Sequence, residues 1–187
     1  DDLARTVIGP RSSSVFTTPA HDAAKKAADD ETEYSEVNET NRELTGKGLM
    51  KQAANISSGI IEVETLLLSG DGDSGILVEG HPEVCFRAFN GEVLRHNKKT
   101  APGVNERLSA LERVDEFDEQ HWRKLASDLA DDDRSVGVDD LLDALALALT
   151  AAADDDDLQR LPPEPSTDVR DLPMQMVYRA ESQLLEN

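Results

Sequence analysis

The stretch Ile76-Leu77-Val78-Glu79-Gly80-His81-Pro82-Glu83 decides how the chain is read. An apolar run ends in an acidic residue, and a glycine and a proline follow. Gly75-Ile76-Leu77-Val78 reads as a short, fully buried strand, because its side chains run apolar without alternation. Pro82 has no N–H to offer a ladder, so the strand stops there. The same proline suits the first turn of a helix over 83–89, with Asn90-Gly91 as its stop. Glu79 then sits at the carboxyl end of a buried strand, where open α/β sheets hold their ligands. A carboxylate there is costly to bury unless a cation meets it. The simpler alternative is that Glu79 turns out to solvent.

The second informative stretch runs from Val138 to Thr150, Val-Asp-Asp-Leu-Leu-Asp-Ala-Leu-Ala-Leu-Ala-Leu-Thr. From Leu141 onward it is apolar all round, which predicts a deeply buried helix. Asp140 and Asp143 lie three apart and share a face. Asp139 or Asp140 can serve as an N-cap or dipole partner. Asp143 lies in the second turn and cannot cap. Two buried like charges raise each other's pKa unless a cation sits between them.

Between and around these stretches the chain is mostly helix. Residues 2–8 read as the last turns of a helix stopped by Gly9-Pro10, an odd beginning that suggests something upstream. Residues 11–19 read as extended or looped, their hydroxyls bonding backbone or facing a phosphate beside Arg11. Two peripheral helices follow, near 21–28 and 31–44, the second with Tyr34, Val37 and Asn41 in one narrow stripe. Thr45-Gly46-Lys47-Gly48 lacks the Ser or Thr and the earlier glycine of a P-loop. Lys47 can still touch a phosphate as a point charge. Residues 49–68 form the longest expected helix, with Leu49, Ala53, Ile56, Ile60, Val63 and Leu67 as its buried stripe and Gly59 marking close packing. Residues 69–75 read as a turn that lacks the ligand spacing of a calcium loop.

Residues 92–100 form the most basic loop of the chain. Helices are expected over 101–114, with Val104, Leu108 and Leu111 inward, and over 117–129, with Trp122, Leu125 and Leu129 inward. Leu161-Pro162-Pro163-Glu164-Pro165 reads as a stiff linker. A closing strand over 172–178 has Leu172, Met174 and Met176 alternating to one face. The division expected is one α/β domain over 1–160, then linker, closing strand and frayed tail over 161–187.

Charge is the dominant compositional feature: 39 acidic against 19 basic residues in 187, a net charge of -20. Asp outnumbers Glu, 22 to 17, and only 7 of the basic residues are Lys. Such a surface repels itself in dilute buffer and stays hydrated when salt screens it. The composition is that expected of a salt-loving organism's protein, or of an acidic protein with a basic partner. Stability is expected to fall as salt is removed. The runs Asp131-Asp132-Asp133 and Asp154-Asp155-Asp156-Asp157 read as solvated surface. One cysteine, Cys85, excludes an internal disulfide and a cysteine metal cluster. The four histidines show no metal-ligand spacing. No stretch has the length of a membrane span and no signal peptide opens the chain, so a cytoplasmic location is expected.

Glu79 after an apolar strand, then Asp140-x-x-Asp143 opening a buried Ala/Leu helix, resembles the RNase H-like nucleases. The string from Asp140 to Ala148 is similar to the last motif of the Holliday-junction resolvase branch. From about Leu3 to Tyr178 the chain also resembles domain-of-unknown-function family 429, regarded as predicted RNase H-like nucleases. The matching pieces include Gly9-Pro10-Arg11-Ser12-Ser13-Ser14-Val15-Phe16, Gly46-Lys47-Gly48-Leu49 with Gln52, and Ile61-Glu62-Val63. They continue with Glu79-Gly80-His81-Pro82-Glu83-Val84, Phe89-Asn90-Gly91, Lys98-Lys99-Thr100 and Asp143-Ala144. That family opens with strands, the first carrying an Asp, that have no counterpart before Arg11.

The resemblance implies a metal-dependent phosphodiesterase acting on nucleic acid. Two divalent ions about 4 Å apart neutralise the scissile phosphate and make a water nucleophilic. Mg²⁺ or Mn²⁺ suits an all-carboxylate site. Glu79, Asp140 and Asp143 are the implied catalytic ligands, with a fourth carboxylate from the absent strand. Arg11, Lys47, Lys98 and Lys99 are the candidate phosphate contacts. The net charge opposes binding a polyanion, although a basic patch around 95–99 can act locally. A non-catalytic scaffold or regulatory domain of the same fold is the alternative. The related actin-like phosphotransfer branch needs Gly-rich phosphate loops that the chain lacks. A short sheet leaves an exposed edge, expected to be covered by a helix or paired with a second copy.

Overall fold

The computed structural model describes residues 1–29, 31–69, 77–132 and 136–185, and the side chains of all of these but 130–132. Residues 70–75 of the turn expected over 69–75, Ile76 and Asp133 lie outside the described residues. In chain order the elements are α1 (Asp2–Ile8), a 3-10 turn (Gly9–Ser14), α2 (His21–Ala27), α3 (Tyr34–Thr45), α4 (Lys51–Asn55), α5 (Ser57–Ser69), α6 (Pro82–Asn90), α7 (Ala101–Leu111), α8 (Glu119–Asp132), α9 (Val138–Ala151), β1 (Leu158–Leu161) and β2 (Met176–Arg179). The class is α/β, rich in helix, with a small two-stranded antiparallel sheet. No described helix is long and apolar enough to cross a membrane.

Two units divide the chain: Asp1 with Val15–Leu77, and Asp2–Ser14 with Val78–Asn187. Residues 161–187 therefore belong with 78–160, and the β1–β2 pair spans the linker.

The first unit holds α2 to α5 around a small cluster of Ala23, Val37, Leu49, Ala53 and Ala54. Asn41 is fully buried because both ends of its amide are hydrogen-bonded. It accepts the Ala20 N–H at 2.8 Å and donates to the Lys47 carbonyl at 2.9 Å. Gly46 ends α3 at φ 72°, a left-handed conformation that glycine adopts without strain. The single helix expected over 49–68 is two. The ladder breaks at Ile56, where the Ser57 hydroxyl donates to the Ala53 carbonyl at 3.0 Å, a competitor for the helical acceptor. The expected stripe breaks with it: Leu49 and Ala53 are buried, while Ile56 and Val63 are about half exposed. Gly59 faces open space rather than a packed neighbour.

In the second unit α6 is the hub, packed against α1, α7, α9 and β2. Pro82 opens it and Gly91 closes it at φ 75°, as the sequence predicts. Val84, Cys85, Phe86, Leu111, Leu142, Ala146 and Tyr178 are fully buried around it. Burial pushes the Cys85 thiol up to about 11, so it is no thiolate nucleophile at neutral pH. Of the segment expected to be extended or looped over 11–19, residues up to Ser14 form a 3-10 turn and only 15–19 lack regular structure.

Strand β1 pairs with β2, with Leu158 opposite Arg179 and Leu161 opposite Met176. β2 has a further neighbour. The Val177 N–H donates to the Glu79 carbonyl at 2.8 Å, and Gly80 forms a single parallel bridge to Val177. The buried strand expected before Glu79 is not formed at Leu77 and Val78, which are about two-fifths exposed. Among the described residues of this stretch only Gly80 joins the ladder, at a point where a Cβ would stand 2.9 Å from Leu147 Cδ2. The closing strand begins at Met176, and Met176, Val177 and Tyr178 are all buried. Successive strand residues point to opposite faces, so both faces are covered and the expected alternation does not hold. Met174 stays half exposed. Helix α9 is one-sided too: Leu142 and Ala146 are fully buried, but Ala144 and Ala148 face solvent. In α8, Trp122, Leu125 and Leu129 are only half-buried.

Candidate functional site

The basic loop over 92–100 has a defined shape because the start of α7 holds it. The Glu106 carboxylate accepts the N–H groups of Arg95 at 3.2 Å and His96 at 2.8 Å. The Asn97 side chain accepts the Lys99 N–H at 3.0 Å, and Thr100 caps α7 by accepting the Gly103 N–H at 3.3 Å. The Arg107 guanidinium also donates to the His96 carbonyl at 3.4 Å. These bonds satisfy backbone groups that a loop would otherwise leave to water.

The loop delivers Lys98 to α9. Its ammonium donates to Asp143 Oδ2 at 2.5 Å and stands 3.3 Å from Asp139 Oδ2. Asp139 and Asp143 are four apart, so both carboxylates project from one helical face. Burial alone would lower the Lys98 pKa, but the hydrogen bond and charge of Asp143, then those of Asp139, hold it above its ordinary value. Burial pushes the Asp143 carboxyl up, Lys98 offsets this only in part, and nearby Glu83 adds to the rise. The pair thus favours the ammonium without repaying the desolvation of the carboxylate.

A raised folded-state pKa means that Asp143 contributes stability while protonated and loses it as pH rises through the raised value. Asp143→Asn cannot titrate. Relative to the native protein its melting temperature should therefore rise from about pH 4 upward and then level off. Thermal melts of both proteins across pH 4–8 check this; a relative fall would make ionised Asp143 a net stabiliser.

Behind this pair lies a second ionic group. Arg107 is fully buried and donates to Glu83 Oε1, and Arg11 Nε stands 3.9 Å from the same oxygen. The Arg107 guanidinium also lies 5.5 Å from the Phe86 ring centroid, a cation–π contact. Glu83 comes from the first turn of α6, Arg107 from α7 and Arg11 from the 3-10 turn, so one buried carboxylate ties three elements together.

Of the residues the sequence singled out, Asp143 and Lys98 are in direct contact, and Arg11 belongs to the adjoining cluster. Asp140 points elsewhere: it is exposed, and its carboxylate accepts the Gly137 N–H at the start of α9 at 3.2 Å. Glu79 is exposed in part, and the burial of the rest raises its carboxyl pKa. Its neighbour Gly80 abuts Leu147, one turn beyond Asp143 along α9. Lys99 is exposed on the loop, and Lys47 belongs to the other unit. Sequence reasoning missed Glu83, Arg107, Glu106 and the site role of Asp139. Arg107 lies on the same stripe as Val104 and Leu111, and a charged residue there was the available signal.

Mg²⁺ is held by one or two carboxylates and keeps several waters. Asp139 and Asp143 fit that requirement, since they already share one cation and Asp143 Oδ1 is buried without a hydrogen-bond partner. The three-carboxylate cluster of Glu79, Asp140 and Asp143 is not assembled: among the described residues no three His, Cys, Asp or Glu side chains gather around a common point.

No curated protein and no solved structure matches the chain. A family model described as "Protein of unknown function (DUF429)" matches residues 1–167. That match covers most of the sequence, and the chain belongs to the DUF429 family.

Proposed function

We propose that the protein is a metal-dependent phosphodiesterase of RNase H-like fold, with nucleic acid as its substrate class. One observation carries the reading: Asp139 and Asp143 converge on a single cation, and one oxygen of Asp143 is buried and unused. Asp139 and Asp143 would hold Mg²⁺ or Mn²⁺. The bound ion would supply charge neutralisation at a scissile phosphate and a more acidic water. Exposed Arg95 and Lys99 lie on the loop that carries Lys98 and offer phosphate contacts in an otherwise acidic chain. Arg107 offsets the charge of Glu83 and so limits the negative field a phosphate must enter.

The test is incubation of the protein with labelled single- and double-stranded DNA and RNA in Mg²⁺ or Mn²⁺. Cleavage is expected, with loss on chelation and in Asp143→Asn. Cleavage by Asp143→Asn at the native rate would make Asp143 a structural residue. A second reading, a non-catalytic domain of the same fold, is favoured by the cations already paired with these carboxylates, Lys98 with Asp143 and Arg107 with Glu83. Metal binding without cleavage of any of the four substrates would support it.

A further inference from the structure

We propose that Lys98 is the resident counter-ion of the site and competes with a divalent cation for the carboxylates of Asp139 and Asp143. The inference rests on the metal-site reading above and deepens it. Two carboxylates and one ammonium leave the group with one uncompensated negative charge, whereas a divalent ion in place of the ammonium would close that balance. The unpartnered Asp143 Oδ1 marks the same shortfall: the ammonium engages one oxygen of that carboxylate and leaves the other buried and unused.

The exchange is also mechanically simple. Asp139 and Asp143 are fixed on one helix, and the backbone around Lys98 is fixed by Glu106, Asn97 and Thr100. Only the four-carbon stem of Lys98 must rotate, and its side chain is already 28% exposed. Displacing the ammonium therefore requires no rearrangement of the loop. The freed ammonium would stay beside the metal, next to Lys99, where an anionic substrate group would arrive. The device offsets half of the carboxylate charge while metal is absent, and its cost is weaker metal binding.

Two measurements on the full chain decide it. The first is calorimetric titration of Mn²⁺ into the native protein and Lys98→Met, each shown to be folded by its melt. Lys98→Met should bind Mn²⁺ about tenfold more tightly or better. An equal or weaker affinity would overturn the inference. The second needs no variant: acetylation of Lys98 by an activated ester, followed by mass spectrometry, with and without saturating Mn²⁺. Lys98 should react faster with Mn²⁺ while exposed Lys51 of the other unit does not change. An unchanged Lys98 rate at Mn²⁺ saturation would overturn the inference even if Lys98→Met failed to fold. If the native protein and the variant both fail to bind Mn²⁺, the metal-site reading falls as well. That outcome is distinct from native binding to which Lys98 is indifferent.

Discussion

Arg107→Met should lower the free energy of unfolding by about 3–5 kcal/mol, because it leaves a buried carboxylate without its main partner. Glu83 is 4% exposed and Arg107 wholly buried, so water cannot take over the lost hydrogen bond. Arg11 Nε, 3.9 Å from the same Glu83 oxygen and without a hydrogen bond to it, offsets the charge only in part. The same geometry predicts a rescue. Replacing both residues with methionine removes the uncompensated charge, and the double variant should recover most of the loss. Urea unfolding of the three variants and the native protein gives the comparison. A loss under about 1 kcal/mol for Arg107→Met would mean that the Arg107–Glu83 pair contributes little to the native fold.

Gly103→Ala is expected to damage both stability and the site. A Cβ at this position would lie 1.9 Å from the Asn97 carbonyl oxygen and 2.5 Å from its carbon. Both are backbone atoms, so no side-chain rotation relieves the overlap, and the loop over 97–100 must move. Overpacking of this kind costs about 1–3 kcal/mol or more. Here it also displaces Lys98, which follows Asn97 directly. Chemical denaturation should show the loss of stability, and Lys98 acetylation should accelerate as its pairing with Asp143 loosens. A fully stable Gly103→Ala protein with unaltered Lys98 reactivity would contradict the close packing of loop and helix.

The sequence discloses those parts of the fold that rest on backbone chemistry. Pro82 and Gly91 bound α6 because one lacks an N–H and the other tolerates a positive φ. Gly46 ends α3 for the same reason, and the basic loop before Thr100 was legible from its charge. What escaped depends on which element arrives opposite. Arg107 and Leu108 are neighbours on a helix, and hydropathy favours the leucine for the interior. Arg107 is buried because Glu83 comes to it from α6, a long-range contact that periodicity does not encode. The choice between Asp139 and Asp140 is similar. Residues three and four apart share a face equally well, so Asp140 and Asp139 were both admissible partners for Asp143. The approach of Lys98 selects Asp139, while Asp140 turns back to the start of its own helix. Leu158-Gln159-Arg160-Leu161 carries no β-branched residue and becomes a strand through pairing with β2.

The most direct measurement is the position of Mn²⁺ in a crystal of the protein, found from its anomalous scattering. The account predicts one principal peak within ligand distance of Asp139 and Asp143, with the Lys98 ammonium turned away, and no such peak in Asp143→Asn. A peak elsewhere on the acidic surface, or none at Mn²⁺ concentrations that saturate binding in solution, would contradict it.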